Sequence, residues 1–415
     1  MLAVLKSIYL ILFSILAIYL ITRKKFPIGI TILYLSLSIF FYLGANLKIL
    51  GEIFSSTITN LTMYRLMIII FLILFFSKIL NDLGLMKSAV GSLENIFKKK
   101  SGILPVFPAL IGLLPMPGGA MFSAPMVKSI SDKMNLPNED KTFINFWFRH
   151  IWEPILPLYP GFILQLELVQ EITRSSNTIT NILLWQFPIT ILMFLSGYLF
   201  KLRSLSSHST ENNNSGKIFN RYKNLVINIW PIILLIVAVI LLRKLEFTLI
   251  IASCIILVIL VYFKRLDRDM IFNTLKTSFS FPITLLIFSV FFFQNTMSLT
   301  GILENFSTIL NSSGIPIQVI VFILPFIIGF LSGLTITYIA ISFPLILPFI
   351  STPDIQYNLV ALGFMGGYFG VLLSPVHLCL VLTNEYFQSN LSKVYFLMLK
   401  SLIIVFLYGI LISFL

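Results

Sequence analysis

Three ionisable residues fall within five positions of an otherwise apolar stretch, NFWFRHIWEPILPLYPG: Arg149, His150 and Glu153. Arg149 and Glu153 are spaced i, i+4 and His150 and Glu153 i, i+3, so a continuous helix puts all three on one face. Pro154 cannot donate a helical N–H, and Pro157 and Pro160 follow, so the helix is predicted to break at Glu153 and restart at Pro154. A charged group at the centre of a bilayer costs roughly 2.5–3.5 kcal/mol on insertion scales and is by default paired or functional. Three uses of the cluster are open: Arg149 and Glu153 neutralise each other and hold the broken helix, Glu153 or His150 takes up a proton or sodium, or Arg149 contacts a substrate.

A second stretch, GGYFGVLLSPVHLCLVLTNE, has Ser374 and Pro375 in place of Glu153 and Pro154, followed by His377, which reads as an interior hydrogen-bonded histidine or as a further titrating group. Two more segments carry glycine and hydroxyl residues in apolar surroundings. PMPGGAMFS contains Pro117, Gly118, Gly119 and Ser123, and LSGLTITY contains Gly333, Thr335 and Thr337. Glycine lets backbone approach a ligand closely. If a helix restarts at each of these four places, unpaired N–H groups with about +0.5 of partial charge meet near mid-membrane and favour an anion, while the opposing carbonyl ends suit a sodium ion. Cys254 and Cys379 lie in apolar runs without a CxxC pattern, and the sequence assigns neither a disulfide nor a metal site to them.

The elements that position these residues are membrane elements. The chain of 415 residues is 58% hydrophobic and 11% charged with a mean hydropathy of +0.98, which excludes a soluble, disordered or nucleic-acid-binding protein. Apolar spans are predicted at about 2–22, 26–44, 64–82, 142–166, 179–200, 225–242, 247–263, 277–298, 357–385 and 395–415. The first is followed by Thr22-Arg23-Lys24-Lys25 and reads as a retained span rather than a cleaved signal. Two further stretches, 102–127 and 316–350, are interrupted by Pro and Gly. Basic residues flank both ends of the first and neither end of the second, so the first is predicted as a re-entrant hairpin from the cytoplasm and the second as one from outside.

Threading ten crossings with both termini outside puts twenty Lys and Arg residues in cytoplasmic segments and five outside, which accounts for the net charge of +13 as an orientation signal. Single cysteines replacing Ser101 and Lys133 should both label from the cytoplasm, and those replacing Ser313 and Thr352 only from outside. Opposite-side labelling within either pair would replace that hairpin with a crossing helix.

The two halves repeat. Phe75-Phe76 matches Phe292-Phe293, Gly84 matches Gly301, and Pro108 with Gly112 matches Pro325 with Gly329, all 217 residues apart. The predicted organisation is a first inverted repeat over 1–200 with its hairpin at 102–127, a cytoplasmic linker over 201–224, and a second inverted repeat over 225–415 with its hairpin at 316–350. Inverted repeats with discontinuous helices mark secondary transporters with a site at the bilayer midplane. The fold class expected is an all-α polytopic membrane protein of ten transmembrane helices and two re-entrant hairpins.

At PMPGGAMFSAP, FRHIWEP and GLLSPVHLC the sequence resembles a family of prokaryotic integral membrane proteins that share a domain of unknown function, number 401. That family is grouped with the gluconate, C4-dicarboxylate, lactate and citrate permeases of the ion transporter superfamily. The resemblance implies an elevator-type carrier of a small organic anion in the inner (plasma) membrane. A homodimer is the expected assembly, and the lipid bilayer, not nucleic acid, is its other partner. Coupling to protons or to sodium (Na+), with no cofactor, is expected at Arg149, His150, Glu153 and His377. A substrate site is expected at Pro117, Gly118, Gly119, Ser123, Gly333, Thr335, Thr337, Ser374 and Pro375. A cation/proton antiporter without organic substrate is the alternative. No HExxH, GxSxG or GxxxxGK pattern occurs, so an enzyme or an ATP-driven pump is not expected.

Overall fold

The computed structural model describes residues 27–42, 46–94, 100–116, 119–175, 177–205, 218–242, 245–262, 267–300, 314–351 and 354–415. The predicted span at 2–22, the middle of the linker, Pro117 and Gly118 lie outside the described residues. Every described element is helical, and no strand occurs among the described residues. Among the described residues, five helices are long and apolar enough to cross a membrane, including Leu61–Asp82, Thr178–Phe200 and Leu391–Ser413, and five shorter apolar helices accompany them. Large side chains such as Leu184, Phe187, Leu407 and Leu411 are exposed along these helices. An apolar exterior of this extent belongs in lipid, so the protein is a helical membrane protein.

The chain forms two compact units, and each draws segments from both halves of the sequence. One unit comprises residues 1–68, 164–175 and 280–376. In it α1 (Ile28–Tyr42) and α2 (Leu47–Ile58) precede the start of α3 (Leu61–Asp82). The amphipathic α2 was not anticipated, because it is short and half polar; Asn46 caps it by accepting from the Lys48 N–H.

The second unit comprises residues 69–163, 176–279 and 377–415. It holds the rest of α3, then α4 (Leu85–Glu94), α5 (Lys100–Ile103), α6 (Val106–Ile111), α7 (Ala120–Ser131) and α8 (Asn138–His150). The helix α9 (Pro160–Thr173) then leads back to the first unit. Next in the second unit come α10 (Thr178–Phe200), α11 (Ile218–Leu242), α12 (Leu245–Tyr262) and α13 (Arg268–Ser278), which is capped by Asp267.

The first unit is completed by α14 (Phe281–Leu299), α15 (Ile317–Ser332), α16 (Thr335–Ile350) and α17 (Tyr357–Leu373). Phe40, Ile53 and Phe292 pack where α1, α2 and α14 meet. The helices α15 and α16 form a helical hairpin whose turn is Gly333-Leu334. Gly333 sits at φ +66°, a left-handed position open to glycine, and its N–H donates to the Gly329 carbonyl at 2.8 Å. Against this hairpin α17 packs backbone to backbone. A Cβ on Gly366 would strike the Phe322 carbonyl, one on Gly370 the Phe326 carbonyl, and one on Gly329 the Gly367 carbonyl.

The remaining helices, α18 (Leu378–Phe387) and α19 (Leu391–Ser413), belong to the second unit. In the second unit the described part of the 102–127 stretch is more divided than the two half-helices expected. Pro105 separates α5 from α6, which carries Pro108 within it and ends at Ile111, after which the described residues 112–116 are irregular. Gly112, the repeat mate of Gly329, is likewise pressed against an interrupted span, here the Arg149 carbonyl.

Candidate functional site

The break predicted at Glu153 is present but begins earlier, after His150, and is longer than expected. The helix α8 ends at His150, residues 151–159 run through successive turns, and α9 restarts at Pro160, not Pro154. Three prolines at a spacing of three exclude regular helix until the last, which occupies the first helical position, where no N–H is needed. Glu153 therefore sits in a turn, and the expected single helix face carrying Arg149, His150 and Glu153 does not exist. The second break also restarts late, at Leu378 and not at Pro375, with His377 as the N-cap residue of α18.

The turns at 151–159 satisfy carbonyls that α6 leaves open. The Trp152 indole donates to the Ala109 carbonyl at 2.8 Å and the Tyr159 hydroxyl to the Gly112 carbonyl at 2.5 Å. Both acceptors lie at the end of α6, where no further helical N–H follows, and in lipid such groups need a protein partner. The Trp147 indole similarly reaches the Met193 carbonyl of α10 at 2.9 Å.

Within the second unit the structure brings together Gly119, Ser123, Arg149, His150, Glu153 and His377. Arg149 is 2% exposed and donates from a terminal nitrogen to the Met116 carbonyl at 2.9 Å, just before the tip of the first interrupted stretch. Its guanidinium fills the space where a Gly119 Cβ would stand, and its Nε is buried without a hydrogen-bond partner among the described residues. His150 lies between three partners. Its Nδ1 is 2.6 Å from the Phe146 carbonyl, its Nε2 is 3.2 Å from Nε2 of His377, and the same Nε2 is 4.0 Å from a Glu153 carboxylate oxygen. Arg149 is thus held by the tip, and His150 is among the neighbours of Glu153.

Ser123 is turned to protein partners. It is fully buried, and its hydroxyl donates to Asn145 Oδ1 at 2.6 Å. The Asn145 amide donates to the Ala120 carbonyl at 3.0 Å and to the Thr383 hydroxyl at 3.3 Å, and Thr383 in turn donates to the Cys379 carbonyl at 2.6 Å. This network ties α7, α8 and α18 together. Sequence reading missed Asn145 and Thr383, although Asn145 precedes Arg149 by four residues and so shares its helix face.

The other expected substrate residues belong to the first unit. Thr337 is fully buried with its hydroxyl unpartnered among the described residues, Gly333 forms the hairpin turn, and Thr335 opens α16. Ser374 is buried and accepts from the Val376 N–H at 3.3 Å, whereas Pro375 is exposed.

At the end of α7, Asp132 binds Lys128 at 2.6 Å and Lys141 of α8 at 2.5 Å. Hydrogen bonds from Lys128 and then Lys141 hold its carboxyl below the usual aspartate range. A depressed carboxyl contributes stability that is present above the unfolded value and lost as pH falls through the folded one. Asp132→Asn should cost less than about 1 kcal/mol, because the pair with Lys128 is exposed and screened. Thermal unfolding should show that difference at neutral pH and its progressive loss as pH falls below about 4 and through the depressed folded value; a difference that persists below the folded value would assign it to packing.

The family model for proteins of unknown function (DUF401) matches residues 5–415, and the chain belongs to that family. No curated protein matches the chain.

Proposed function

We propose that this member of the family is a secondary active transporter of a small carboxylate-bearing anion, driven by a sodium or proton gradient, in the elevator manner of inverted-repeat carriers. The observation that carries the reading is Arg149, a buried guanidinium at a helix break whose Nε is left without a partner. A planar fork of donors in a water-poor site matches a carboxylate bidentately. The N-terminus of α7 begins beside it, with Gly119 as its N-cap residue, and adds unpaired N–H groups. The glycine turn of the α15–α16 hairpin, the two interrupted spans and the repeat at an offset of 217 support two re-entrant elements within ten crossings. The likeness of Pro117-Gly118-Gly119 to the tip of gluconate-type permeases supports the same substrate class.

The test is a thermal-shift screen of the purified full chain against carboxylate anions, with and without sodium. Stabilisation by such an anion is the expected result. A ligand that is a cation with no anionic group would overturn the reading, and a response to sodium alone would favour the cation/proton antiporter.

A further inference from the structure

Two histidines expected in the ion-coupling set converge in the second unit with a cysteine to which the sequence assigned no role. His150 comes from the last turn of α8, His377 caps α18, and Cys379 sits in the first turn of α18. All three are buried, and one ring nitrogen of each histidine and the Cys379 Sγ lie within 4.8 Å of one another. We propose that His150, His377 and Cys379, with Glu153 as the fourth donor, form a binding site for a transition-metal ion of the zinc class.

The geometry of each ligand supports this. Metal–nitrogen bonds of 2.0–2.1 Å and metal–sulfur bonds of 2.3 Å at a tetrahedral centre set donor atoms roughly 3.3–3.8 Å apart. The two histidine nitrogens are 3.2 Å apart and Glu153 is 4.0 Å from His150. The histidine pair already stands at about that spacing, and Glu153 approaches it from the His150 side. A carbonyl can only accept, so the contact of His150 Nδ1 with the Phe146 carbonyl at 2.6 Å puts the ring proton on Nδ1. The lone pair is then on Nε2, turned to the other donors, which is the orientation that supporting hydrogen bonds give to metal-bound histidines. Cys379 lies at the N-terminal end of α18, where the helix dipole favours a thiolate. Two imidazoles, a sulfur and a carboxylate select zinc or copper over sodium, magnesium or calcium, which take oxygen. A bound ion would tie the end of α8 to the start of α18. The site stands on these contacts alone and does not depend on the carrier reading.

The chain has two cysteines, Cys254 and Cys379, which makes cobalt a decisive probe. The chelator-treated full chain in detergent, titrated with Co²⁺, should bind one equivalent with a thiolate-to-cobalt charge-transfer band that Zn²⁺ abolishes. Cys254→Ser should keep the band, Cys379→Ser should lose it, and His377→Gln should weaken binding by about 10-fold or more. Absence of the band in the folded parent protein, its loss in Cys254→Ser, or its survival in Cys379→Ser would each overturn the site. Should Cys379→Ser fail to fold, the parent and Cys254→Ser spectra still decide, because a band in both leaves Cys379 as the sole thiolate. A histidine pair joined only by its own hydrogen bond would bind no cobalt through sulfur.

Discussion

Replacing Arg149 by methionine should weaken binding of the anion found by screening about 100-fold, or about 2.7 kcal/mol. The size follows from loss of a charge-assisted contact of about 1.5–3 kcal/mol in a site from which water is excluded. Arg149 also holds the Met116 carbonyl, so the variant needs a companion. Gly119→Val leaves the guanidinium in place chemically but drives a β-branched side chain into the space it occupies. Both variants should lose binding, and Arg149→Lys should recover only part of it, since an ammonium keeps the charge without the planar fork. Size-exclusion behaviour checks that each protein is folded, and titration of the anion measures binding. Normal affinity in a folded Arg149→Met protein would remove Arg149 from the site and with it the main support for an anionic substrate.

The second large effect is on stability. Gly366→Val should destabilise the first unit by about 3 kcal/mol, the upper part of the usual range for overpacking, and sharply lower the yield of folded protein. The atom that a Cβ would meet is the Phe322 carbonyl oxygen, and backbone cannot rotate away as a side chain can. Four residues on, Gly370 faces the Phe326 carbonyl in the same way, so α15 and α17 must separate along their contact. Small residues at this spacing are how membrane helices gain dispersion contacts where lipid offers no hydrophobic drive. Gly51→Ala on α2 is the control, because no atom lies within 4 Å of its Cβ position and alanine favours helix. Equal thermal unfolding temperatures for the two variants would show that the α15–α17 contact does not limit stability.

Membrane class, most helix positions and the places where helices break could be read from residue types, because each depends on local properties. Runs of apolar residues demand lipid, and Pro and Gly interrupt hydrogen bonding wherever they stand. Thus the break after His150 and the turn at Gly333 were legible, as was the burial of Arg149 and Glu153. The exact restart of α9 was misplaced at Pro154, although a helix begun there would carry Pro157 and Pro160 where an N–H is needed; the packing of Trp152 and Tyr159 onto the end of α6 holds the turns in between. The short helices α2 and α13 escaped notice for the opposite reason, since they carry too few apolar residues in a row.

What the sequence determined by itself is an apolar chain that must be helical in a bilayer, interrupted at places where a few polar side chains remain inside. Only the tertiary structure decided who their partners are. Arg149 goes to the Met116 carbonyl rather than to Glu153, Ser123 goes to Asn145, and His150 goes to a histidine 227 residues away. Helical spacing fixes which residues share a face of one helix, whereas these pairings arise where separate helices end against each other. There, each buried donor or acceptor takes whatever partner the packing brings within reach, because lipid supplies none.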